Sequence, residues 1–196
     1  GSGVTGSVLT PTDPTIAGVS PSPDPVPEGF LPFTEVALDR AGERMPGIDR
    51  SAMAMVLMLH RVASAIVYDL ESTVHRPAGW SWSAFRLLFA LWVAGAQEAG
   101  RCAELAGMSR AAVSALAKTL EAGGLVERTG DPRDRRTVVL GLTAEGTARL
   151  EETFGAHNRR EADWAGLLTP EELATLNGLL AKLAAAAQEQ DWVRRR

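Results

Sequence analysis

Two clusters of side chains in the middle of the chain could do chemistry, and both suit a polyanion. Arg110, Ser114 and Lys118 recur every four residues, which on a helix sets a guanidinium, a hydroxyl and an ammonium along one side. Ala111 and Ala115 lie among them and keep that side slim enough for its backbone to approach a duplex groove. Farther on, Arg133, Arg135 and Arg136 crowd around Asp134, directly after the turn sequence Gly130-Asp131-Pro132. Arginines at an exposed hairpin can follow a phosphate backbone or enter a narrow minor groove, where the potential is strongly negative. Asp134 cannot attract phosphate, so its expected role is to orient Arg133 or Arg136 through a charge-assisted hydrogen bond. An ordinary solvated charge run is the plainer alternative, and it accounts for Arg133 better than for the set.

Those side chains need elements to hold them. Around the wheel of Ser109 to Glu121, Val113, Leu116, Ala117 and Leu120 gather on one side. Ala111, Ser114, Ala115, Lys118 and Thr119 fall opposite, with Arg110 at the edge. A short helical segment from Arg101 to Ala106 precedes this helix across a turn at Gly107-Met108, and Gly123-Gly124 closes it. The period then changes: Leu125 to Thr129 predicts a strand, and Arg136 to Leu142 a returning one.

Helices are expected on either side. Phe30 to Met45 permits one, ended near Pro46-Gly47, and a long one fits Asp49 to about His75. Ser81 or Ser83 can cap the next, whose Phe85, Leu88, Phe89 and Trp92 form an apolar side ending near Gly95. Thr143 caps a helix that runs through Leu150 and Phe154 towards Trp164. Thr169, Pro170 and Glu172 read as N-cap, first helical residue and capping-box partner of a final helix with a leucine seam. The order is that of a mainly α chain with a small β-hairpin wing: a winged helix-turn-helix with a helical dimerisation region.

Composition bounds the rest. With 45% hydrophobic and 22% charged residues among 196, the chain can bury a core. The net charge of -4 is uneven: Arg101 to Arg136 carries +2 and the remainder -6, a basic patch on an acidic body. Residues 1–27, rich in Pro, Ser, Thr and Gly, read as a flexible tail. Cys102 is the single cysteine, so no intrachain disulfide can form, and a small buried side chain is its expected role. His60 and Arg61 stop the most apolar run, Ala52 to Leu59, and Asp69 interrupts the next, so no membrane span is expected; nor is a signal peptide, which suggests a cytoplasmic protein. His60, His75 and His157 are too widely spaced for a zinc site. Neither a phosphate loop nor a nucleophile elbow is present, so no metal, cofactor or catalytic residue is assigned and an enzyme is not expected.

At the wing the sequence resembles a known family. Asp134-Arg135-Arg136, five residues and then Leu142-Thr143 is similar to the wing motif of MarR (multiple antibiotic resistance regulator) proteins. The stretch from Cys102 to Ser114 and that from Leu120 to Arg128 resemble the same family's recognition-helix region. The similarity covers about Asp49 to Ala187 and is strongest from Ala103 to Gly146. It implies a homodimer on pseudo-palindromic operator DNA, often a repressor that small phenolic or anionic ligands release. By that resemblance Arg136 would enter the minor groove, with Asp134 as its partner. The same resemblance places ligands where the first two core helices meet the DNA-binding lobe, so Trp82, Phe85 and Arg86, with His60, are the candidates for an aromatic anion. An extra N-terminal helix resembles that of urate-sensing members, but Arg86 stands where those carry an acid, so urate is not implied.

The expected organisation is a tail over residues 1–27 and one domain over 28–196. Within it, 28–46 is the extra helix, 80–143 the winged helix-turn-helix, and 48–76 with 144–190 the dimerisation helices. The expected function is a ligand-responsive, homodimeric DNA-binding regulator. The alternative is a winged-helix module that binds a protein partner instead of specific DNA.

Overall fold

The computed structural model of the chain describes residues 28–130, 138–190 and 192. Its elements run α1 (Phe30–Arg44), α2 (Arg50–Leu70), α3 (Trp82–Ala94), β1 (Gln97–Glu98), α4 (Ala99–Ala106), α5 (Arg110–Ala122), β2 (Val126–Gly130), β3 (Val138–Leu142), α6 (Ala144–Ala165) and α7 (Pro170–Glu189). Contacts divide the chain into two units, one ending at Met58 and one beginning at Leu59.

In the first unit, α1 and the start of α2 are joined by an ion pair between Asp39 and Arg50. Asp49 caps α2, its Oδ1 accepting from the Ala52 amide at 2.9 Å. The helix then continues beyond Leu70 into a π-helical turn, Glu71–His75, which the sequence did not suggest. By length and composition the helical stretch Arg50–His75 could cross a membrane, contrary to the expectation that its polar residues forbid it. The reason is that from Ser51 to Tyr68 only Arg61 carries a full charge.

In the second unit the core lies under the winged helix. Leu87 and Leu88 of α3, Cys102 of α4 and Val113 of α5 are fully buried, joined by Val126, Leu140 and Leu150. Burying one such leucine removes apolar surface worth about 2 kcal/mol. The apolar side of α3 is rotated from the one expected: Ala84, Leu87 and Leu91 join Phe85 and Leu88 in the core, while Trp92 is exposed. A helix packed on several neighbours has a wider buried arc than one seam of spacing reveals.

The sheet has three strands, not two, in the order β1-β3-β2, all antiparallel. Gln97 and Glu98 pair with Leu140 and Val139, a ladder too short for a period to show. Boundaries move slightly as well: α4 begins at Ala99 and β2 at Val126. The expected N-caps form: Ser81, Thr143 and Thr169 accept from Ala84, Gly146 and Glu172 amides. Ser109 caps α5 as well, accepting from the Ala112 amide. The capping box at Thr169 and Glu172 is complete.

One close approach fixes how α6 leaves the sheet. Gly146 lies so near the Leu125 carbonyl that a Cβ on it would fall 2.0 Å from that oxygen. Thr143 seals the same corner, its hydroxyl donating to the Gly124 carbonyl at 2.7 Å. Gly124 itself has φ of 73°, the left-handed turn that ends α5.

Candidate functional site

The face that could meet DNA is built by α5. Its Val113, Ala117 and Leu120 are buried, and Leu116 is half-buried. That fixes the helix's rotation, so Arg110, Ala111, Ser114, Ala115, Lys118 and Thr119 are all exposed, as the wheel predicts. Thr119 donates back to the Ala115 carbonyl and so keeps its polar atom within the helix. Arg110 is displaced towards α4: its guanidinium lies over Gly100, where a Cβ would come within 3.5 Å of Nη2. Arg128 on β2 reaches Glu121 at 3.8 Å, tying the start of the wing to the end of α5. Arg133, Asp134, Arg135 and Arg136 lie outside the described residues.

Beneath α5 the cysteine is sealed in. Cys102 is fully buried with Sγ 3.6 Å from the Gln97 carbonyl, and burial pushes its thiol pKa up. A thiol held protonated is a poor nucleophile, which fits a packing role.

A second feature is a cavity of about 470 Å³ between α3, α4 and α6. Trp82, Phe85, Arg86 and Phe89 line it from α3, Leu105 and Ala106 from α4, and Phe154, His157 and Glu161 from α6. The aromatic rings form a near-continuous wall, with Phe89 and Phe154 stacked at 5.4 Å and Phe85 against His157 at 4.4 Å. The structure thus brings together Trp82, Phe85 and Arg86 of the expected ligand set. His60 does not join them: it is exposed on α2 and does not line the cavity. One histidine on a long helix gives no sign in the sequence of which way it points.

The polar residues of the cavity floor were missed by the sequence. His157, only 3% exposed, places Nε2 3.0 Å from Glu161 Oε1 and Nδ1 3.1 Å from Nε2 of the fully buried His75. Desolvation, with the neighbouring His157 adding to it, lowers the His75 pKa to about 4, so His75 is neutral at physiological pH.

A clamp holds α6 against the end of α2. Asp69 accepts from Arg160 Nε at 2.7 Å, from Arg160 Nη2 at 2.9 Å and from Trp164 Nε1 at 2.8 Å. The hydrogen bonds from Arg160 and Trp164 hold the Asp69 carboxyl below its usual range. One signal for it existed, since Asp69 is an acid set into an apolar helix.

Comparison with known proteins bears on the whole arrangement. The model of the MarR family matches residues 80–138. An uncharacterised HTH-type transcriptional regulator of Bacillus subtilis, YwaE, is 34% identical over 144 residues, which span 72% of this chain and 84% of YwaE. The HTH-type transcriptional repressor MdtR of the same organism is 33% identical over 97 residues, half of this chain and 63% of MdtR. Among solved structures, Bordetella bronchiseptica BpsR, whose DNA binding is regulated by 6-hydroxynicotinic acid, is 27% identical with a TM-score of 0.60, covering 65% of this chain and 96% of BpsR. An exposed, slim α5 beside a three-stranded wing sheet, and a match over most of the length of YwaE, lead to one conclusion: the chain belongs to the MarR family of transcriptional regulators.

Proposed function

We propose that the chain is a cytoplasmic, homodimeric repressor that binds a pseudo-palindromic operator and leaves it when an aromatic anion fills the cavity. The observation that carries the reading is α5, whose buried Val113 side turns Arg110, Ser114 and Lys118 outward on a face of small residues. Such a helix enters a major groove, with Arg110 reaching guanine or phosphate and Ser114 and Lys118 bonding the backbone. Arg133, Arg135 and Arg136 complete the grip from the wing, with Asp134 orienting Arg136 or Arg133.

Dimerisation is supported by apolar side chains that the described residues leave uncovered. Leu176, Leu179, Leu180 and Leu183 are exposed on α7, as are Met55, Val56, Leu59 and Val62 on α2. A second copy covers them, in place of a membrane. Effector response is supported by the aromatic cavity with Arg86 on its wall. MdtR is a repressor and BpsR responds to an aromatic acid, and this chain is similar to both.

Gel shifts with the gene's own upstream DNA test the reading. A shift is expected on a palindrome with half-site centres ~10 bp apart. Arg136→Ala should weaken it without loss of folding, and Lys118→Ala should reduce the salt slope by about 1. No shift at moderate salt, with or without aromatic acids, would overturn it.

A further inference from the structure

Gly100 is a glycine that its own backbone does not require. It lies half-buried in the first turn of α4, outside the left-handed region, where alanine would favour the helix more. What it meets accounts for it. The three atoms nearest to a Cβ built there all belong to the Arg110 guanidinium: Nη2 at 3.5 Å, with Cζ and Nε at 3.6 Å. Three atoms of one plane at nearly one distance mean that the group lies with its flat face on Gly100. Arg110 is the first residue of α5, and helical side chains lean towards the N-terminus of their helix, which carries this one back onto α4.

The fork itself is unoccupied. Among the described residues Arg110 makes no hydrogen bond or ion pair, and Glu104, on the same helix as Gly100, is held by Arg101 at 2.7 Å. A guanidinium stacked by its face keeps its N–H edge open. Such a seat matters more to one kind of contact than to another. A phosphate is satisfied by a charge that arrives from many directions, whereas O6 and N7 of a guanine need the planar fork in one orientation. An arginine already held in place loses less side-chain entropy on making that contact. Arg110 also stands at the leading end of α5, the part of such a helix that meets base edges.

We propose that Gly100 is a positioning residue for DNA recognition: its bare Cα seats the Arg110 guanidinium so that each half-site is read at a guanine. The inference rests on α5 entering a major groove, and adds what Arg110 reads and what holds it. Selection by the full chain from a pool of duplexes with random positions tests it, followed by binding to the selected duplex and to an unrelated one at the same salt. The wild-type chain should select a guanine in each half-site. Arg110→Lys keeps the charge and loses the fork. It should lose that guanine and bind the selected duplex about tenfold or more weakly, with the unrelated duplex changed less than about twofold. Gly100→Val should do the same, because its γ carbons take the room of the guanidinium. Gly100→Ala should not, since a methyl at 3.5 Å makes an ordinary contact. Valine and alanine both favour a helix more than glycine does, so α4 should persist, and Gly100→Leu repeats the test with a second side chain. In the Arg110→Lys background Gly100→Val should weaken binding by less than about twofold further, which separates positioning from damage to the fold. The guanine kept by Gly100→Val or by Arg110→Lys overturns the inference and leaves the groove reading intact. So does an equal loss from Gly100→Val in both backgrounds, or a loss in Gly100→Ala as large as in Gly100→Val. No sequence selected by the wild-type chain overturns both.

Discussion

The winged lobe and the helix α7 handle apolar side chains in opposite ways. In the lobe, Leu87, Leu88 and Val113 have no exposed surface, and three helices and a sheet close around them. On α7 no residue is buried, and Leu179 remains 56% exposed. Both carry leucines at helical spacing, so spacing alone does not tell a core from a contact surface. The difference lies in what faces each helix. The lobe supplies its own partner surfaces, whereas among the described residues nothing covers the seam that α7 presents.

That contrast can be broken or sharpened by measurement. The largest effect is expected inside the lobe: Leu88→Ala should cost about 4 kcal/mol in urea unfolding, since a cavity adds to the lost transfer energy. A loss below about 1 kcal/mol would mean that the lobe is loosely packed.

Acid should act next most strongly. His75 has a pKa of about 4 in the folded chain against 6.5 ordinarily, so the unfolded chain binds its proton more readily. Stability from this group is full above about pH 6.5 and is lost as pH falls towards about 4, by about 3 kcal/mol at most. Asp69 has the same sign, its contribution being lost at lower pH as its carboxyl protonates. A urea midpoint that stays level from about pH 7 to about pH 4.5 would contradict the buried, neutral His75.

On α7 the outcome should depend on concentration. Leu179→Glu is expected to weaken self-association by about tenfold or more in sedimentation equilibrium, or about 1.4 kcal/mol. It should leave the unfolding of dilute protein nearly unchanged. If dilute protein is destabilised as much as by Leu88→Ala, the two regions are not different in kind. The smallest effect belongs to the cap of α5: Ser109→Ala should cost about 1 kcal/mol, read as a small shift in the urea midpoint.

How much of this could be read in the sequence follows the same division. The solvated side of α5 was legible because periodicity reports which side of a helix is wet, and Val113, Ala117 and Leu120 state it plainly. The caps were legible because Ser81, Thr143 and Thr169 act on amides three residues away. β1 was not, since two residues carry no period, and its pairing with β3 is set by the fold. The π-helical turn and the His75–His157 contact, 82 residues apart in the chain, depend on how helices pack, which local patterns do not encode. For the same reason the cavity kept Trp82, Phe85 and Arg86 of the expected set, lost His60, and gained His157 and Glu161.

Gly146 gives the second unit a mechanical property. A Cβ at this position would fall 2.0 Å from the Leu125 carbonyl oxygen, so any side chain would push the first turn of α6 off the end of the sheet. The seat of α6 therefore holds only while this one position stays bare, and the corner that Thr143 seals depends on it.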